Sequence, residues 1–148
     1  DALSEANVPA SNIREIDYHT VFGSSAESTS SYKSYEELFF PVNYTAVIGF
    51  NDLQSYSAME ILQKKGYRIP EDISLISFDH LRKTHTYLPP LTSIADNSEK
   101  SIADTAVSIL LDKIRNPSSE ISSKVLPVSI FDGHTTGPIN ETFAHSFE

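Results

Sequence analysis

A chain of 148 residues is the usual size of one domain, long enough to bury about two thirds of its unfolded surface without covalent staples. The absence of cysteine excludes disulfides and thiolate metal sites and fits a reducing compartment, here expected to be the cytoplasm. With 11 Lys and Arg against 20 Asp and Glu, the net charge is −9, and no basic stretch is available to neutralise phosphates, so the chain alone is not expected to hold nucleic acid.

The first residues, Asp1 to Ala6, read as the end of a helix already under way. With no initiator Met, the chain is expected to be a fragment. Pro9 and Ser11-Asn12 punctuate that helix, and Ile13 to Tyr18 reads as a short strand. A Ser-rich stretch from Phe22 to Ser31 leads into a helical segment, Tyr32 to Phe40, stopped by Pro41. The run Thr45 to Phe50 is continuously apolar, as expected of a strand covered on both faces. Asn51-Asp52 then gives a helix N-cap signal, and the helix is expected to reach about Lys65 and stop at Gly66. A second buried strand, Ile73 to Phe78, ends at Asp79-His80 and is followed by a polar connection to Tyr87.

Pro89-Pro90 introduces a short strand, Leu91 to Ala95. Asn97 to Arg115 is the best-patterned helix, with Ile102, Val107, Leu110 and Ile114 among at least eight apolar residues on one broad face. That is more than one sheet face readily covers, so the helix is expected either to pack against a neighbouring copy or to fold back on its own sheet. Val125 to Phe131 is a last strand, placed at an edge by Pro127, and Pro138 to Glu148 reads as a frayed tail. Strands alternating with helices imply an α/β fold with a mainly parallel, doubly wound sheet. No stretch of 18 apolar residues and no signal peptide are present, so no membrane association is expected.

In such sheets ligands bind beyond the carboxyl ends of the strands. Asp17, Asn51-Asp52 and Asp79-His80 end three successive strands, with Tyr18 and Phe22 close behind the first. Carboxylates and amides beside aromatic faces suit a neutral polyhydroxylated ligand. Asn51 fits a cap alone or a cap that also touches ligand. Asp52 fits the helix dipole, and Asp79 has no helix to cap and is the better ligand candidate. Tyr18 and Phe22 are candidates for ligand stacking, with packing in the core or loop as the other reading. Catalytic signals are weak: no G-x-S-x-G, no phosphate-binding glycine loop and no nucleophile–base set. The chain is therefore expected not to be an enzyme and to need no cofactor. His80 and His85 lack a third ligand of suitable spacing, so no metal site is expected.

From Tyr44 the sequence runs YTAVIGFNDLQSYSAMEILQKKGYRIPEDISLISFDHLRKTHTYLPP and continues LTSIADNSEK. An apolar strand ending in Asn51-Asp52, then Gly66, Pro70, Asp72, Phe78-Asp79, Pro89-Pro90 and Leu91 to Ile94, follow in order over about 90 residues. This resembles the effector-binding core of the lactose- and galactose-repressor (LacI/GalR) family, and LPVSIFDGHTTG resembles the family's last strand. The resemblance implies a periplasmic-binding-protein-like fold of two α/β lobes joined by crossing strands, with an effector, often a sugar, between them. It implies a core that dimerises and operator DNA bound only through a separate helix-turn-helix, absent from this chain. Residues 1–90 would be the C-terminal lobe, 91–124 a crossover strand and helix belonging to the other lobe, 125–137 the returning strand and 138–148 a tail. Asn51 and Asp79 would contact the effector.

The helix from Asp52 also carries a second apolar face, Tyr56 and Met59, beside Ala58, Ile61 and Leu62. The resemblance sets this helix near the dimer interface, so Tyr56 and Met59 are expected to meet a second subunit, cover by a loop of the same chain being the other reading. Departures from the family pattern are His80 in place of a second acid or amide, Ser55 and Ser57 for smaller residues, Asp96 for Gln and Gly133 for a basic residue. A sugar-binding receptor of a transport system shares the two-lobed architecture and is the alternative. A phosphorylation receiver module would need a Lys after the last strand, and none follows Phe131.

Overall fold

The structure is a computed structural model that describes residues 5–16, 35–81, 89–96, 101–120 and 123–147. Four strands form one sheet in the order β1-β2-β3-β4: β1 is Ala46–Ile48, β2 Ser74–Phe78, β3 Thr92–Asp96 and β4 Val128–Phe131. The first three run parallel and β4 is antiparallel to β3. Helix α1, Asp52–Lys64, follows β1; helix α2, Ile102–Arg115, follows β3; and a short α3, Glu141–Ala144, lies near the end of the chain. The α/β, mainly parallel architecture is the one expected, and β4 lies at the sheet edge as Pro127 indicated.

Alternation along the strands explains the layers. Register puts Val47 beside Leu75, Ser77 beside Ser93 and Ser93 beside Phe131, so these side chains share one face. Helix α1 covers that face, and Ala58, Met59 and Leu62 join Phe39, Ile73, Leu75 and Leu91 in the core. Each fully buried aliphatic or thioether side chain there contributes about 2 kcal/mol. The opposite face carries Ile48, Ile76, Phe78, Ile94 and Ile130, of which Ile48, Phe78 and Ile130 are exposed. The expectation that the Thr45 to Phe50 strand is covered on both faces is corrected for its described residues: Ala46 and Ile48 are exposed.

Local chemistry sets the ends of α1. The Asn51 side chain accepts from the Gln54 amide at 2.9 Å, and Gly66 sits at φ 92° just past the last turn, a conformation costly for any residue with a Cβ. On α2, the Ser101 hydroxyl accepts from the Asp104 amide at 3.1 Å, and Lys113 and Arg115 favour the negative end of the helix dipole. Ile102, Val107, Leu110, Leu111 and Ile114 of α2 are exposed, so the helix does not fold its apolar face back on the sheet.

Three expectations for the chain ends change. Among the described residues, Ile13 to Ile16 are not in the sheet; the Arg14 guanidinium instead donates to the carbonyls of Leu38 and Pro41. Among the described residues of the helical segment expected before Pro41, a 3-10 turn forms at Tyr35–Phe39. Nearby, the Tyr44 hydroxyl donates to the Phe39 carbonyl at 2.9 Å, and burial pushes its pKa up to about 12.

The third is the segment from Pro138, which among the described residues is docked, not frayed, at Asn140 and Phe143. Phe143 packs edge-on against Tyr67 at 5.9 Å, and the Asn140 amide donates to the Glu71 carbonyl and to Asp72. Asp72 also accepts from the Arg68 guanidinium at 2.6 and 2.9 Å. The Arg68 hydrogen bond, assisted by Asn140, holds the Asp72 carboxyl below its ordinary value. A carboxyl depressed in the folded state stabilises above its unfolded value, roughly pH 4, and loses that contribution as pH falls through the folded value. Asp72→Asn is therefore expected to flatten the acid side of the stability–pH curve below about pH 4. Thermal melts between acid and neutral pH check this; a variant as acid-sensitive as wild type contradicts it.

Candidate functional site

Strands β1 and β2 are adjacent and parallel, so the residues that follow them emerge at the same edge of the sheet. Asn51 and Asp52 follow β1, and Asp79 and His80 follow β2. Asn51 is half-buried with its side-chain oxygen engaged in the α1 cap, whereas Asp79 is exposed. Asp79 and His80 both have positive φ, 92° and 48°, an unusual pair for residues with a Cβ.

The turn that holds them is closed by hydrogen bonds from three successive amides. Asp79 donates to the Ile94 carbonyl at 3.0 Å, His80 to the Ser93 hydroxyl at 3.0 Å and Leu81 to Asp52 Oδ2 at 2.5 Å. The Ser93 hydroxyl in turn donates to Asp52 Oδ1 at 2.9 Å. Asp52, 3 % exposed, thereby joins the first turn of α1, the start of β3 and the turn after β2. Close by, the Ser55 hydroxyl donates to Ser77 Oγ at 3.0 Å. The His80 imidazole stacks on the Phe131 ring, with centroids 4.0 Å apart and planes within 12°. The edge thus offers an exposed carboxylate able to accept from hydroxyls, an amide and a flat ring pair.

The expected site residues are placed unevenly. Asn51 and Asp79 come to one edge; Asp17, Tyr18 and Phe22 lie outside the described residues. The expectation that Met59 meets a second subunit is corrected. Met59 is 0 % exposed, in the core beneath α1, and Tyr56 is half-buried against the same core. The Asp52 linkage and the Phe131 platform were missed in the sequence. The signal for the linkage is the pair of serines, Ser77 and Ser93, on the strand face that α1 covers. Buried hydroxyls need polar partners, and Asp52 and Ser55 of α1 supply them.

The sequence matches the family model for a periplasmic binding protein-like domain over residues 1–136. The chain belongs to that family. Within it, the relatives are of the LacI/GalR group. The HTH-type transcriptional repressor PurR of Aliivibrio salmonicida is 35% identical over 120 residues, 80% of this chain and 34% of that protein. A LacI family transcriptional regulator from Enterococcus faecium, solved with bound ribose, is 32% identical with a TM-score of 0.57. That match covers 66% of this chain and 36% of the other. A dimeric Lac repressor with an 11-residue C-terminal deletion is 28% identical with a TM-score of 0.59, covering 71% and 38%. The chain is an effector-binding-core segment of this group and spans about a third of the length of the relatives it matches. Among the described residues, no helix is long and apolar enough to cross a membrane.

Proposed function

We propose that the chain senses a small polar effector, a sugar, within a LacI-type transcription regulator. The observation that carries this is the emergence of Asn51 and Asp79 from adjacent parallel strands at the sheet edge where such folds take ligands. Asp79 accepts hydrogen bonds from effector hydroxyls. Asn51 donates from its amide nitrogen while its oxygen stays in the cap. Asp17, Tyr18 and Phe22 complete the contact set. The Enterococcus faecium relative with bound ribose supports a sugar over other polar ligands.

Residues 1–90 act as the C-terminal lobe, and 91–124 cross to a second lobe that covers the apolar face of α2, with 125–137 returning. In support, β3 and β4 stay paired at Ala95–Ser129 and Asp96–Val128, two residues beyond the last β2 pairing at Phe78–Ile94. The regulator works in the cytoplasm, without catalysis, as a homodimer in which Tyr56 lies at the subunit contact. The dimeric Lac repressor supports self-association. Operator DNA is bound through a separate domain, in keeping with the −9 charge of this chain. The transport-receptor alternative is not favoured, because the relatives named above are transcriptional regulators.

D-ribose is the first probe. Removing one partner of a charge-assisted hydrogen bond weakens binding by about 2 kcal/mol, roughly thirtyfold. Calorimetric titration of the intact regulator is expected to show that loss in Asp79→Ala. Unchanged affinity in a variant with native circular dichroism contradicts the assignment.

A further inference from the structure

We propose that Asp52 is a positioning residue for Asp79: its buried carboxylate clamps the turn that presents the ligand-facing acid. The ligand side of this role rests on the function proposed above, whereas the clamp itself rests on geometry alone. Asp79 and His80 both have positive φ, and two successive residues with a Cβ in that region carry a conformational cost that the surrounding contacts must offset. Those contacts come from β3 and Asp52, which accept the three successive amides of Asp79, His80 and Leu81. Two of those three acceptors depend on Asp52: the Leu81 amide bonds its Oδ2 directly, and the Ser93 hydroxyl that takes the His80 amide is itself oriented by Oδ1.

A favourable interaction with the α1 dipole accounts for an acid at this position, but an exposed one would serve as well. Here the side chain is 3 % exposed and both its oxygens are engaged, on a strand and on a turn. The chemistry also selects Asp over Asn. Both partners, the Leu81 N–H and the Ser93 O–H, are donors, and an ionised carboxylate is acceptor-only, whereas an amide would turn an NH2 towards one of them.

Amide exchange by NMR tests the clamp in Asp52→Ala, Asp52→Asn and Ser93→Ala. Exchange at His80 and Leu81 is expected to rise about tenfold or more in Asp52→Ala, with partial rescue in Asp52→Asn. The amides of Ser74 and Leu75, bonded to the Thr45 and Thr135 carbonyls, are expected to keep wild-type rates. Ser93→Ala is expected to release His80 more than Leu81; if Asp52→Ala does not fold, this variant and Asp52→Asn decide. Unchanged exchange at His80 and Leu81, or an equal rise at all four amides, overturns the clamp. D-ribose titration of the intact regulator separates the two readings. Loss of affinity in Asp79→Ala with none in Asp52→Ala overturns positioning, and loss in both supports it. If Asp79→Ala itself binds ribose normally, the ligand reading fails, and the exchange data still judge the clamp.

Discussion

Gly133→Ala is expected to destabilise the fold by about 3 kcal/mol or more, enough to unfold much of a marginally stable domain at physiological temperature. A Cβ at this position would lie 2.2 Å from the Pro90 carbonyl oxygen, 2.3 Å from the Leu91 carbonyl carbon and 2.5 Å from the Thr92 nitrogen. All three are backbone atoms, so no side-chain rotation relieves the clash. The neighbouring contacts lock the two segments together: His134 donates to the Pro90 carbonyl at 2.8 Å, and the Gly133 amide donates to the Thr92 hydroxyl at 3.2 Å. Urea denaturation measures the loss. A midpoint within error of wild type would show that the β4 exit and the Pro90 segment part without cost.

Thr135→Val is the second large effect, expected at about 3 kcal/mol although the two side chains have nearly the same shape. Thr135 is fully buried where β2 and β3 begin. Its hydroxyl donates to the Leu75 carbonyl at 2.7 Å and accepts from the Thr92 amide at 2.9 Å, while its own carbonyl accepts from the Leu75 amide at 2.6 Å. Valine leaves the Thr92 amide and the Leu75 carbonyl without that partner, away from water. Thr135→Ser keeps the hydroxyl and loses one methyl, for which about 1 kcal/mol is expected. The comparison is decisive because the order reverses if packing, not hydrogen bonding, holds the seam: valine would then be the more stable variant.

Much of the fold was legible because its signals are local. Asn51 and Gly66 mark the ends of α1, Pro127 marks the edge strand, and the polar residues after β1 and β2 mark the sheet edge at which Asn51 and Asp79 emerge together. The failures are as instructive. Apolar periodicity alone sets Met59 with Tyr56 on a second face, whereas the buried stripe of α1 includes polar residues. The stripe is Asp52, Ser55, Ala58, Met59 and Leu62. Its first turns are polar because they meet Ser77 and Ser93, a pairing between distant segments that helical periodicity cannot reveal. The Thr45 to Phe50 run misled for a related reason: an apolar stretch permits cover on both faces without specifying which neighbours supply it. Gly133 stood out in the sequence only as a departure from the family pattern. Its reason is the Pro90 to Thr92 backbone, more than 40 residues away in the chain.

The paired extension of β3 and β4 beyond β2 is a two-stranded ribbon that leaves the four-stranded sheet. Two-stranded ribbons carry a larger twist than wide sheets, and at the end of this one the Asp96 carboxylate accepts from the Ile102 amide of α2 at 3.1 Å. A helix of 14 residues is about 21 Å long. A twist of about 10° about an axis across the helix base moves its far tip by roughly 4 Å. A torsion at Ala95 and Asp96 that α2 followed as a rigid rod would thus reach its far tip as a displacement the size of a side chain.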